Sequence, residues 1–445
     1  MFGFRALGRV RVPHRKYTAD QAGVRMNPKG DILLPLAQHI GAPAIPVVKP
    51  GDAVYVGTLI GAAEAFVCAP VHSSVSGTVK KIEGYLTSSG KEGTVIVIES
   101  DGLMTPDPSI KAPEITSFQD IFDAARNCGL IGLGGAGFPT SVKLDPKKIG
   151  SIDTLVLNGA ECEPYITSDT RTMIVDAENI KYGIELLLRH SEIKKVAIGI
   201  EKNKPECIKH LKGVFRDVPT VKIVPLPSRY PQGAEKVLVH NTVGRVIPEG
   251  KLPGDVGVIV MNVTTIATLA EYIKTGMPLV EKCITVDGGA IAEPKNIIVP
   301  VGTSVAEAIE AAGGYKCEVG KILFGGPMMG VAIYDDTNPI MKNCNAIVAL
   351  SREQAEPKDE YPCIHCGRCV EYCPMKLNPT LFARALNLDD AAERAERLEN
   401  ASINLCIECG CCSYVCPSAR PLVENNRLAK AELREYKLSL KSREE

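Results

Sequence analysis

Tryptophan is absent from this chain of 445 residues, and the other aromatics are sparse, 9 Phe and 13 Tyr. Charge of a dominant sign is missing too, with 51 Lys plus Arg against 52 Asp plus Glu. With neither a basic stripe nor interleaved aromatics, nucleic acid is excluded as a partner. No run of about 18 apolar residues is present, so no segment spans a membrane by itself. The nearest run, Val256 to Ala270, is interrupted by Asn262 and three threonines. The opening stretch, Met1 to Pro13, lacks the apolar core of a secretory signal. The 16 cysteines are therefore expected in a reducing cytosol, as ligands rather than disulfides.

Eight of those cysteines fall into two runs of identical spacing. Cys363, Cys366, Cys369 and Cys373-Pro374 form the first; Cys406, Cys409, Cys412 and Cys416-Pro417 form the second. Both read C-x2-C-x2-C-x3-C-P, the bacterial ferredoxin spacing, in which the fourth thiolate of each run ligates the other cluster. The expected sets are Cys363, Cys366, Cys369 and Cys416 for one [4Fe–4S] cluster, and Cys406, Cys409, Cys412 and Cys373 for the other. Structural zinc could use a C-x2-C pair, but it gives no reason for the third and fourth cysteines. Cys411 would break the spacing and is taken as a bystander.

Residues 31 to 99 are rich in Val, Ile, Gly and Pro and read as short strands joined by turns. The pattern resembles the flattened barrel of biotinyl and lipoyl carriers. No lysine stands between Lys49 and Lys80, so the attachment chemistry is missing and a scaffold or docking role is expected. From about Ser117 to Leu279, apolar strands near residues 154, 196, 221 and 258 alternate with helical stretches, which argues for a parallel sheet covered on both faces. Residues 280 to 335 read as a small α+β module around a helix from Ser304 to Ala312. Charged helical sequence follows, with residues 378 to 402 separating the cysteine runs.

Gly132, Gly134 and Gly137 make a literal G-x-G-x-x-G. Phe118 to Cys128, just before it, reads as an amphipathic helix, so the usual dinucleotide fingerprint, which needs a preceding strand, fails. A glycine-dense loop remains, with Lys143 shortly after it: either a structural turn or a loop whose backbone approaches phosphates or a flat ring.

The full wording of the loop, Gly129 to Thr140 followed by Lys143, resembles the flavin-binding loop of the NADH-oxidising subunit of respiratory complex I. Asn158-Gly159-Ala160-Glu161-Cys162-Glu163-Pro164, Tyr230 to Lys236 and Asn262 to Thr265 follow in that family's order. Over residues 31 to 425 the chain is most similar to the RnfC family of the Rnf electron transport complexes, through phrases such as Leu36 to Pro43, Ala69 to Gly77 and Gly325 to Gly330. That resemblance implies a multidomain α/β chain. An N-terminal segment (1–30) would lead into a barrel-sandwich β domain (31–110), a Rossmann-like FMN/NADH domain (117–279), a β-grasp (SLBB) domain (280–335) and a helical ferredoxin domain with two [4Fe–4S] clusters (353–445).

Carried over position by position, the resemblance implies non-covalent FMN contacts from Gly132, Gly134, Lys143, Asn158, Glu161, Tyr230, Gly233, Asn262 and Thr265. It implies contacts to the substrate NADH from Phe138, Glu163 and Glu235, with NADH preferred over NADPH because no Arg/Lys cluster offers a clamp for a 2′-phosphate. Catalysis would be cofactor-borne, with no side-chain acid or base. Partners would be the other Rnf subunits, including an iron–sulfur subunit, with the chain peripheral on the cytoplasmic side of the membrane. Two alternatives stay open: a soluble paralogue feeding a cytosolic reductase, and a non-enzymatic iron–sulfur bridging protein without flavin. Leu133, Ala160 and Ala234 depart from the Arg, Asp and Glu of complex I. Val12-Pro13-His14-Arg15-Lys16 replaces the Gly-Gly-Ile/Val-His-Pro phrase common in the Rnf family.

Overall fold

The computed structural model describes residues 10–86, 90 and 92–444; the first nine residues of the N-terminal segment lie outside the described residues, as do 87–89, 91 and 445. The barrel is built from two small sheets. Ile32–Pro35, Glu92–Ser100, Gly77–Leu86 and Ala53–Val54 form one, and Ile45–Pro46, Leu59–Ala62 and Val71–His72 the other. Alternate residues such as Ile32, Leu34, Ile60, Val71, Ile96 and Ile98 close a shared apolar core between them. The segment Ala63 to Val67, where a carrier hairpin would hold its lysine, joins two of these strands.

The central domain is a four-stranded parallel sheet in the order Val221–Leu226, Lys195–Glu201, Thr154–Gly159, Val258–Asn262. Its strands are apolar on both faces because both are covered. Leu155, Leu157, Ile198, Ile200 and Met261 pack against the helices Ala177–His190 and Val263–Thr275. Val156, Leu226 and Val260 pack against the helix Glu235–Val243. The stretch before the glycine loop is a helix, Phe118–Asn127, opened by a reciprocal capping box between Ser117 and Asp120.

The β-grasp sheet is larger than residues 280 to 335. Ala346–Ser351 lies in its middle, between Glu281–Asp287 and Val319–Phe324, and Val24–Arg25 adds an edge strand beside Lys295–Pro300. A loop of irregular sequence separates the inserted strand from its neighbours, which hid it from a reading of local pattern. The helix runs Val305–Ala311 with Ser304 as its cap. In the C-terminal domain the helices Pro379–Ala385, Ala391–Asn400 and Leu422–Glu444 pack around Phe382, Leu398, Ala429 and Leu433. Phe382 is fully buried there, and truncating such a residue to alanine costs about 3–5 kcal/mol. Among the described residues no helix is long and apolar enough to cross a membrane.

Candidate functional site

The carboxyl ends of the parallel strands, where such sheets bind ligands, carry Asn158, Glu201 and Asn262. The Asn262 carboxamide oxygen accepts from the backbone N–H of Thr264 (2.8 Å) and Thr265 (3.2 Å), capping the helix Val263–Thr275. Its Nδ2 donates to Asp169 at 2.7 Å, and the Thr264 hydroxyl donates to the other oxygen of that carboxylate at 2.7 Å. Burial, reinforced by the charge of Glu161, pushes Asp169 up to about 6. Thr265 Oγ1 takes the N–H of Leu133 at 2.9 Å, which fastens the glycine loop to this helix start.

The loop is pinched at its base, where Gly132 N–H donates to Phe138 O (2.8 Å) and Gly137 N–H to Gly132 O (3.2 Å). Gly134, Gly135 and Ala136 form an exposed crest. Gly135 sits at φ 111°, a backbone glycine adopts without strain. A Cβ on Gly134 would stand 3.2 Å from Asn262 Nδ2. Asn158 Nδ2 donates to Gly233 O at 2.9 Å, bringing the Tyr230–Lys236 segment to the same place. Lys143 donates to Val260 O at 3.0 Å and pairs with Glu235 at 3.4 Å, both side chains part-exposed. The structure thus gathers Gly132, Gly134, Lys143, Asn158, Gly233, Asn262 and Thr265, with Phe138 half-buried at the loop and Glu235 beside Lys143. An open glycine crest, two amide side chains at strand ends and one accessible cation suit a flavin phosphate and ring, so the residues fit FMN.

Three of the expected contacts lie elsewhere. The Glu161 carboxylate, with its side chain only 2% exposed, turns inward and accepts from Asp169 N–H (2.7 Å), Thr170 N–H (3.3 Å) and the Thr170 hydroxyl. The unpaired donors at the start of the helix Ser168–Val175 draw it there. Tyr230 is 1% exposed and faces the cysteine domain. Glu163 is bound by the turn from Gly325 to Gly330 and by Tyr230. Its two oxygens accept from Met328 N–H (3.0 Å) and Met329 N–H (2.8 Å), and the Tyr230 hydroxyl donates to it at 3.3 Å. Two backbone donors in one turn give this carboxylate a pair of charge-assisted bonds.

Reading local sequence missed Lys16 and Lys204. Lys16 Nζ is buried among the carbonyls of Glu161 (2.7 Å), Glu163 (2.8 Å) and Ile166 (2.5 Å), and burial pulls its pKa down to about 8, partly offset by Glu161. Lys204 donates to Ala160 O at 2.7 Å and pairs with buried Glu201 at 3.6 Å. Burial pushes Glu201 up to about 7, against the opposing charges of Lys204 and Lys16. The carbonyl partners of Lys16 and Lys204 lie more than 40 positions away and leave no local signal. Of the two, only Lys16 falls in a segment of altered wording, Val12 to Lys16.

The eight motif cysteines surround two cavities. Cys363, Cys366, Cys369 and Cys416 line the outer one, together with exposed Ile364 and His365. Cys373, Cys406, Cys409 and Cys412 line the inner one, with Cys411 alongside. Each cavity draws three cysteines from one run and the fourth from the other, so the donor sets fit two [4Fe–4S] clusters with crossed fourth ligands. Among the described residues, no three His, Cys, Asp or Glu side chains converge closely enough to hold a single metal ion. Asn426, 2% exposed, donates Nδ2 to the sulfurs of Cys406 (3.5 Å) and Cys412 (3.9 Å). Cys409 and Cys411 pack with Tyr230, Cys162 and Met328 in one apolar cluster, which places the inner cavity against the flavin domain. Cys411 itself points at Tyr230 O at 4.0 Å.

A glycine-loop nucleotide site joined through packed side chains to paired four-cysteine cavities defines a flavin- and iron–sulfur-dependent electron-transfer protein. Four family descriptions match along the chain: RnfC barrel sandwich hybrid domain over residues 4–103, Nuo51 FMN-binding domain over 125–271, SLBB domain over 283–332 and 4Fe-4S dicluster domain over 359–420. The chain is 41% identical over 433 residues to the C subunit of the Na(+)-translocating ferredoxin:NAD(+) oxidoreductase complex of Acetobacterium woodii, covering 96% of each. It is 41% identical over 373 residues to the C subunit of the proton-translocating ferredoxin:NAD(+) oxidoreductase complex of Clostridium ljungdahlii, covering 83% of this chain and 81% of that one. The chain belongs to this family, the C subunits of the ion-translocating ferredoxin:NAD(+) oxidoreductase complexes. Among solved structures, an NAD+-reducing [NiFe]-hydrogenase shares the fold with a TM-score of 0.51 at 18% identity, over 71% of this chain and 63% of that one.

Proposed function

We propose that this chain is the NAD-handling member of an ion-translocating ferredoxin:NAD+ oxidoreductase complex, peripheral on the cytoplasmic side of the membrane. It exchanges hydride with NAD(H) at an FMN held by Gly132, Gly134, Lys143, Asn158, Gly233, Asn262 and Thr265, and passes electrons singly through two [4Fe–4S] clusters to an iron–sulfur partner. Bound FMN would supply the step between two-electron and one-electron chemistry. Clusters held by Cys373, Cys406, Cys409 and Cys412 and by Cys363, Cys366, Cys369 and Cys416 would supply single-electron carriers for the two electrons of a hydride, its proton being released to solvent. The observation that carries this reading is the apolar junction of Tyr230, Cys162, Met328, Cys409 and Cys411, which joins the flavin domain to the inner cavity.

The chain's own residues bind and orient. Thr265 holds the glycine loop, Asn262 caps the helix that carries Thr265, and Asn158 holds Gly233 beside it. Glu235 and Phe138 flank the loop as NADH contacts, and no Arg/Lys cluster there would clamp a 2′-phosphate, so NADH is preferred. Exposure of Cys366, His365 and Ile364 suits the outer cavity to electron exit toward a partner. Anaerobic titration of the FMN- and iron-reconstituted chain with NADH and NADPH tests the reading. NADH should bleach flavin and then iron–sulfur absorbance, with NADPH slower. A chain that holds no flavin after reconstitution would overturn it.

A further inference from the structure

Glu163 meets the β-grasp turn from Gly325 to Gly330 at a junction of three domains. The turn hangs from the sheet by Gly325 N–H to Ala346 O (2.8 Å) and closes on itself by Gly330 N–H to Gly326 O (2.8 Å). Its inner face has no room for side chains. A Cβ on Gly326 would lie 2.7 Å from the Glu163 carboxyl carbon, and one on Gly330 would lie 2.6 Å from Phe324 O. On the far side, a Cβ on Gly410 would stand 2.7 Å from Met328 O. Gly410 lies between Cys409, an inner-cavity cysteine, and Cys411. The flavin domain's Glu163, the β-grasp turn and the cysteine domain therefore stack in direct contact, with Gly326 under the Glu163 side chain and Gly410 against the Met328 backbone. Both Glu163 oxygens are occupied by this stack, through Met328 N–H, Met329 N–H and the Tyr230 hydroxyl.

We propose that Glu163 is a positioning residue: its carboxylate seats the turn on the Cys409-Gly410-Cys411 segment and thereby sets how fast electrons cross between the flavin domain and the inner cavity. The inference rests on the electron path proposed for this chain. Glu163 takes up no electron or proton in it; it fixes a separation. The carboxylate gives each N–H its own oxygen, Oε2 for Met328 and Oε1 for Met329, whereas a carboxamide in the same pose would turn its NH2 toward one of these donors.

Anaerobic stopped-flow mixing of reconstituted full-length chain with NADH separates the two phases, flavin bleaching and iron–sulfur bleaching. Glu163→Gln, nearly isosteric, and Gly326→Ala, which pushes the turn off the carboxylate, should each keep the wild-type flavin phase and iron content. Each should slow the iron–sulfur phase about tenfold, since misplacement on the ångström scale suffices for losses of that order. Wild-type rates in both phases for both variants would overturn the clamp and leave the electron path standing. A slowed flavin phase in Glu163→Gln, with its iron–sulfur phase following at the wild-type rate, would overturn the clamp and make Glu163 a substrate contact. Wild-type protein that holds flavin yet bleaches in neither phase would overturn the electron path and the clamp with it.

Discussion

The outer and inner cavities share one cysteine spacing and differ in nearly everything around it. The outer cavity opens to solvent beside Ile364 and Val370, whose side chains are exposed. The inner one is closed by Phe382, Leu377 and Val423, receives Asn426 N–H groups at two of its sulfurs, and abuts Tyr230 and Met328. Spacing chooses the cluster type; surroundings choose its place in the path. The inner cavity packs on the flavin domain, and the outer one presents Ile364, His365 and Cys366 to solvent.

The largest effect should come from removing one cavity at a time. Cys366→Ser and Cys406→Ser should each lower iron from about eight to about four atoms per chain. Only Cys366→Ser should leave an iron–sulfur EPR signal that NADH still generates quickly. Equal behaviour of the two variants would erase the distinction between inner and outer. Cys373→Ser, through the crossed ligation, should resemble Cys406→Ser rather than a change in its own run.

Gly134→Val should detach NADH from both cavities without changing iron. A branched side chain would press on Asn262, already 3.2 Å from a Cβ there, and strip the cap from the helix Val263–Thr275. Such a cap is worth about 1 kcal/mol, and its loss also frees the Leu133 end of the loop. Flavin content after desalting is the readout, and retention at the wild-type level would contradict the placement of the cofactor. Asn426→Leu should lower the potential of the inner cluster alone, because N–H donors to sulfur favour the more negative reduced state. The expected shift is about 60 mV, a tenfold change for a one-electron couple, read by EPR-monitored titration.

The smallest effect concerns the flavin end. Asp169, held up at about 6 against its ordinary 3.8, keeps its proton to higher pH when folded than when unfolded. Between those values the folded state binds more protons, so stability falls as pH rises through that window. Asp169→Asn should flatten the fall, as seen in urea unfolding of the central domain at stepped pH.

The cysteine sets were legible in the sequence because the ferredoxin code is local: Cys363 to Cys373 and Cys406 to Cys416 declare their partners by spacing. The parallel sheet was legible for a similar reason, each strand being a short apolar run. The orientation of Glu161 and Glu163 was not. Glu161 is drawn by the free N–H groups of a helix that starts only a few residues on, and Glu163 by a turn 165 positions away. Neither pull is written in the Asn158 to Pro164 wording. The strand Ala346–Ser351 was missed because its place in the sheet is set by pairing with Glu281–Asp287, far back in the chain.

Rapid freeze-quench EPR of the reconstituted full chain after mixing with NADH tests the central claim, that electrons enter beside the inner cavity and leave by the outer one. Spectra of Cys366→Ser and Cys406→Ser assign the two signals. The signal missing from Cys406→Ser should rise first in the wild type, followed by the signal missing from Cys366→Ser. The reverse order would contradict that path.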